Sequence, residues 1–282
     1  MTVVFAVTFF TFTLLFPGDN AEPLYAGAAA SIFGIFIGFS ISGANDRISR
    51  VNELLKTENG YNLINYNMSK QFGKKVQDEV RELIDNYLIA QIDYKLEDFY
   101  RSGPEFNRLY SYFLALEPKT TKEEKAYDEI IEALNDQTLG RSQIETIVSE
   151  RISRYEWASA LFLLVLVVVT AYSMSDGTVL RAIFVSILAT ASLLLVLVLR
   201  DINNLKWDKY TWTWKPLRNL FRNLSLIPYY GDNEHEVKFE PGERFRLATY
   251  LDKYPDMSGK KVAIYGYEIE KKHKISKIDS VT

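Results

Sequence analysis

The densest run of hard oxygen ligands in the sequence is Asp232-Asn233-Glu234-His235-Glu236. Asp232, Glu234 and Glu236 are of the type that binds Ca²⁺, which takes roughly six to eight oxygens. The run lacks the spacing of an EF-hand loop, so it reads first as an acidic surface turn and only second as a metal site. The two histidines, His235 and His273, sit in polar, turn-like or tail segments. Cysteine is absent, which excludes disulfides, thiolate metal sites and a thiol nucleophile. No glycine-rich phosphate loop, GxSxG elbow or HExxH pair occurs. The chain is therefore not expected to be an enzyme, and no cofactor is implied. A net charge of −3 offers no general attraction to nucleic acid.

The spacing that carries information lies instead in the apolar segment 25–44. Ala26, Ala30, Gly34, Gly38 and Ser42 recur every four residues and form one ridge of small side chains, with Gly34 and Gly38 as a GxxxG pair. Such a ridge lets the backbones of membrane helices approach closely. The neighbouring rows are Ser31, Ile35 and Phe39, then Ile32, Phe36 and Ser40. Small residues against a neighbouring helix, with bulky apolar ones beside them, suit a pore helix with a hydrophobic constriction, which can gate by dewetting. The same ridge would also serve any tightly packed bundle or dimer.

The 282 residues average near-zero hydropathy, but the apolar ones are gathered into blocks at 3–16, 25–44, 157–172 and 180–199. A membrane helix needs about 20 mostly apolar residues. The first block is short and ends at the turn signal Pro17-Gly18-Asp19-Asn20. It lacks the basic start and small-residue cleavage site of a signal peptide, so it reads as a span. The expected fold is a mainly α membrane protein with four transmembrane helices in two hairpins, a helical cytosolic domain and a small C-terminal region containing β-strands. Its parts are residues 1–44, 45–156, 157–200 and 201–282. Arg47, Arg50, Arg151, Arg154, Arg200, Lys206 and Lys209 flank one end of the spans, and the short loops carry Asp19, Glu22 and Asp176. That asymmetry puts both termini and the middle domain in the cytosol.

In the middle domain, Val76, Val80, Leu83, Ile84, Tyr87, Leu88 and Ile92 give Ser69–Arg101 an apolar helical stripe, which Gly103-Pro104 is expected to stop. A helix is expected from Thr121 through Asn135. Ser142 and Glu145 fit a capping box that would start another, running straight into the third span. Beyond an interfacial stretch at Trp207–Trp214, alternation at Phe245–Leu251 and Val262–Ile269 predicts short strands, and the tail around Lys271–Lys277 reads as a solvated charged end.

The segment Ile35-Phe36-Ile37-Gly38-Phe39, followed by Arg47, resembles the pore helix of bestrophin channels, with an aliphatic and aromatic neck, a Gly-Phe pair and an arginine where the helix enters the cytosol. The two-plus-two spans and the helical block between them agree, over roughly residues 25–205, most closely with the prokaryotic bestrophin-like membrane proteins. The resemblance implies that Ile35 and Phe39 are neck residues, with Ile32 or Phe36 lining the neck if the helix is rotated. Ser31 stands one turn outward, where the family often has an apolar residue. Asp46 and Arg47 would mark the cytosolic exit. The bestrophin Ca²⁺ clasp after the last span, Pro-Phe-Gly followed by acids, has no counterpart in Asp201-Ile202-Asn203-Asn204, so calcium gating is not expected.

The leading expectation is thus a bestrophin-like homopentameric ion channel of the prokaryotic cytoplasmic membrane, passing inorganic ions passively. Its partners would be the lipid bilayer and its own copies. The acidic excess and the prokaryotic resemblance lean slightly to cations. The alternative is a non-conducting membrane scaffold or sensor that binds partners through its cytosolic helices.

Overall fold

A computed structural model describes residues 2–18, 23–94, 96–204, 215–231, 244–252, 254, 258–267 and 275–281. The chain divides into two compact units, Met1–Arg50 with Glu150–Trp207 and Val51–Ser149 with Asp208–Thr282.

The first unit contains α1 (Thr2–Leu15), the start of α2 (Pro23–Ser69), α6 (Arg154–Ser173) and α7 (Val179–Asn203). Among the described residues, three helices are long and apolar enough to cross a membrane, namely those beginning near Leu24, at Arg154 and at Val179. The 14-residue α1 is as apolar but shorter. At about 1.5 Å per residue it reaches about 21 Å, less than the roughly 30 Å of a hydrocarbon core. α7 packs against both α1 and α6. At the α6–α7 turn, the Gly18 N–H donates to the Ser175 carbonyl at 2.7 Å and the Ser175 hydroxyl donates to the Thr13 carbonyl at 3.2 Å. A Cβ at Gly18 would lie 2.5 Å from the Tyr172 carbonyl oxygen and 2.9 Å from the Ser173 Cα, backbone atoms that cannot swing aside. Gly18→Ala should therefore lower the thermal stability of the detergent-purified protein, by about 1–3 kcal/mol as an overpacking change. A melting temperature equal to the parent's would contradict this close approach.

α2 runs unbroken through Ser69. The change at residue 44 is one of side-chain polarity only. A helix keeps its period across such a change when no proline or turn interrupts it, and its one proline, Pro23, opens it.

The second unit adds α3 (Lys74–Asp93), α4 (Gly103–Leu114) and α5 (Thr121–Ser149), then α8 (Lys215–Asn223) and the strands β1 (Tyr229–Tyr230), β2 (Arg244–Thr249), β3 (Lys261–Tyr267) and β4 (Ile275–Val281). Gly103-Pro104 opens α4 instead of stopping a long helix, because a proline in the first turn costs no helical hydrogen bond. α5 is one helix, so Ser142 caps nothing. Its buried stripe Ile130, Leu134, Gln137, Arg141, Ile144 and Val148 continues through two polar residues that mask the apolar period. The capping box belongs to Ser153 and Glu156 at the start of α6, whose hydrogen bonds measure 3.1 and 2.8 Å. α5 therefore ends before the third apolar segment and does not run straight into it.

The strands form one sheet in the order β1-β2-β3-β4, with β1–β2 parallel and the other pairs antiparallel. The tail expected as a solvated end pairs with β3 from Ile275 onward. The core joins Val80, Ile84 and Leu88 of α3, Leu109 and Phe113 of α4, and Ile130 and Leu134 of α5 to Leu217, Leu220 and Phe221 of α8 and Ala248 of β2. Arg246 fixes the sheet to α3 by a fork onto Asp85 at 2.7 and 2.6 Å, and Asp93 accepts from Tyr229 at 2.6 Å and from Lys260 at 2.7 Å.

Candidate functional site

α2 packs within its own unit through Ala26, Ala29, Phe33, Ile37, Ala44 and Ile48, all buried. At about 100° per residue these positions share one side of the helix, and Ile35 lies opposite. That opposite side is open: Ile35 is 63%, Phe39 77% and Ile32 56% exposed. Ser31 and Ser42 are exposed on it too, Phe36 is half-buried at its edge, and Asp46 is exposed three turns below Ile35. The Ser31 hydroxyl donates to the Gly27 carbonyl at 2.8 Å, so it is satisfied on its own helix. Within the small-residue ridge, Ala26 is buried, Ala30 is half-buried, and Gly34, Gly38 and Ser42 are exposed. Among the described residues, no atom beyond α2's own nearby backbone lies within 4 Å of a Cβ placed at Gly34 or Gly38. At those glycines the ridge meets no other described residue of this chain.

Arg47 is turned away from that face. Its Nη1 donates to the Glu150 carbonyl, and its Nη2 donates to the Asn203 carbonyl at 2.7 Å and the Asn203 Oδ1 at 3.4 Å. Oδ1 of Asn203 also accepts the Ile152 N–H at 3.0 Å. The guanidinium thus ties α2 to the segment ahead of α6 and to the last residue of α7. Burial, and after it the charge of Arg151, pulls its pKa below the ordinary value, against the opposing pull of Glu150. Arg47 and Asp46 are neighbours in sequence, but a single helical step sends them to different sides.

The second unit holds a buried polar cluster that the sequence did not single out. Arg141 Nη1 lies 3.5 Å from Glu58 Oε1 and donates to the Tyr87 and Ser102 hydroxyls, the latter at 3.1 Å. Tyr87 donates to Glu58. The guanidinium carbon sits 4.7, 5.0 and 5.2 Å from the ring centres of Phe99, Phe106 and Tyr87. Gln137 accepts from Asn65 at 3.4 Å and donates to Asn62 at 3.1 Å. Burial lifts the Glu58 carboxyl above its usual range although Arg141 pulls it down, and burial with the Glu58 charge lifts the Tyr87 phenol well above its own. In the sequence Arg141 falls between the helix expected at Thr121–Asn135 and the one expected from Ser142, so no periodicity marks it as buried.

Asp232, Glu234 and Glu236 lie outside the described residues, as do Trp207–Trp214, His235 and His273. Among the described residues, no group of three or more His, Asp or Glu side chains is placed to hold a metal ion.

A family model of the bestrophin-like domain matches residues 3–205, well over half of the chain. The chain belongs to the bestrophin-like family. No curated protein and no solved structure matches it. Bestrophins are ion channels and not enzymes, and family membership agrees with the long apolar helices in pointing to an integral membrane protein. The matched region of this bestrophin-like chain contains the apolar helices found among the described residues, the open face of α2, the Arg47 contacts and the Glu58–Arg141 cluster.

Proposed function

We propose that this bestrophin-like chain is the subunit of a homopentameric ion channel in which the open face of α2 lines the axial path. The observation that carries the reading is that face itself. Ser31, Ile35 and Phe39 stand opposite the helix's packed side and are exposed. Five such faces around an axis place bulky apolar groups at a neck, with Ile35 and Phe39 as its rings and Ile32 and Phe36 beside them. The small ridge of Ala30, Gly34, Gly38 and Ser42 would pack against the next copy of α2, where missing side chains permit close approach.

In this reading α1 is a fourth, short span, the chain ends lie in the cytosol of a prokaryotic cell, and ions pass passively through a neck that dewets when closed. Asp46 lies at the cytosolic exit and gives a lean to cations. Planar-bilayer recording of the purified protein in asymmetric KCl tests the proposal, with Phe39→Ala alongside. The expected result is discrete currents, raised severalfold in conductance or open probability by the substitution because the apolar section widens. Unaltered currents would remove Phe39 from the neck. Silence from a folded, inserted protein would overturn the channel reading in favour of a non-conducting scaffold.

A further inference from the structure

We infer that Arg47 is a positioning residue that locks the rotation of α2 about its own axis. Its effect on permeation rests on the channel reading above, whereas the lock itself does not. Half of the packed side of α2 in the first unit is alanine, with Ala26, Ala29 and Ala44 beside Phe33, Ile37 and Ile48. Small side chains interdigitate shallowly, and in lipid no hydrophobic force presses helix on helix. Such a face holds a helix close to its neighbours and fixes its angular setting poorly.

Directional contacts must then set the angle, and Arg47 supplies them three residues beyond the apolar segment. A planar guanidinium has donors in a fixed fork, so binding two acceptors at once fixes the orientation of the group and of the helix that bears it. Its acceptors belong to two different segments, the Glu150 carbonyl and the Asn203 carbonyl with Oδ1. Asn203 is the last residue of α7, whose carbonyl has no partner within its own helix and attracts a cation by the helix dipole. Asn203 in turn binds Ile152 N–H, so all three segments converge on one side chain. Lysine would carry the charge without the fork.

With the fork in place, Ile35, Phe39 and Asp46 are held opposite the packed side. Without it, α2 turns and that face leaves its setting. The absence of native cysteine allows the rotation to be read directly from spin labels on single introduced cysteines. Phe36 and Ile41 are half-buried on opposite flanks of the packed side. In full-length protein in lipid, labels at Phe36→Cys and Ile41→Cys are compared with and without Arg47→Gln, and with Asn203→Ala and Arg47→Lys as graded alternatives. Circular dichroism confirms that each variant is folded.

Rotation makes one label more mobile and the other less, with Arg47→Gln giving the largest opposed change, Asn203→Ala a smaller one, and Arg47→Lys failing to restore the parent spectra. Mobility rising at both labels means mere loosening and overturns the lock, as do unchanged spectra. Bilayer recordings of the same variants separate the two claims. Opposed label changes with altered currents support both. Opposed changes in a protein silent even as the parent uphold the lock and sink the channel.

Discussion

Arg141→Met is expected to unfold the second unit far more easily than any surface change, at a cost of about 3–5 kcal/mol. The substitution preserves much of the side-chain length and apolar contact while removing the cation that faces Glu58. Glu58 and Arg141 are almost wholly buried, and water cannot replace the lost partner. The Glu58 carboxyl must then either keep an uncompensated buried charge or take up a proton. Its folded pKa already stands above the unfolded value through burial, and Arg141 is the strongest of the groups that restrain it, ahead of the hydrogen bonds from Tyr87, Gln91 and Gln137.

Without Arg141 that pKa rises further, so the folded state binds protons that the unfolded state releases. Stability contributed by the protonated carboxyl is complete below the ordinary carboxyl range and is lost as pH rises through the folded value. The variant should therefore be most deficient at neutral pH and recover on acidification, with a steeper pH dependence than the parent. Hydrogen exchange of α3 and α5 amides, which reports local opening, measures the loss. Adding Glu58→Gln should return much of it. A loss independent of pH and not relieved by Glu58→Gln would mean that packing against Phe99, Phe106 and Tyr87 is what matters, and would remove the ion pair from the account.

The contrast between this cluster and the apolar helices explains what could be read from residues alone. Leu180–Leu199 and Tyr25–Ala44 are visible because length and polarity decide where such a segment can reside. The strands at Phe245 and Val262 show themselves by alternation, as the structure bears out within two residues of their ends. Read by apolar period alone, α5 divides in two, because Gln137 and Arg141 interrupt the period while occupying buried positions. Polarity was a proxy for exposure there, and the proxy fails wherever a buried polar group has its own partners.

The same pattern of Ser-x-x-Glu occurs at Ser142 and at Ser153, and only backbone geometry decides between them. Ser153 has extended φ and ψ ahead of its helix, whereas Ser142 lies inside one. α8 spans only nine residues between turn-like segments, too short a window to stand out, although Leu217, Leu220 and Phe221 keep the helical i, i+3, i+4 spacing and complete the core. For α2, the ridge and rows could be written down from spacing. Which side packs within the chain could not, because that depends on partners far away in sequence, and it is the fact that separates Asp46 from Arg47.

That separation sets the expectation for Asp46→Asn, a fall on the order of tenfold in the cation-to-anion permeability ratio. A neighbouring arginine would ordinarily cancel an aspartate at a pore exit. Here the Arg47 guanidinium turns to the other side of the helix, onto Glu150 and Asn203, and no described residue pairs with Asp46. In the channel reading five carboxylates ring the path. Two unit charges about 8 Å apart in water interact by about 0.5 kcal/mol, and screening over a Debye length of about 8 Å leaves about 0.2 kcal/mol each. Five together favour a cation by about 1 kcal/mol and disfavour an anion by about as much. Since about 1.4 kcal/mol is tenfold, the two effects multiply to at least that factor in the ratio.

Neutralising the ring should move the reversal potential in asymmetric KCl toward zero from the cation side, while Asp46→Glu holds it. The shift should shrink at high salt, because screening acts on the ring and not on the neck. A reversal potential that ignores Asp46→Asn while Phe39→Ala still alters the current would keep the neck and move the charge selectivity away from α2.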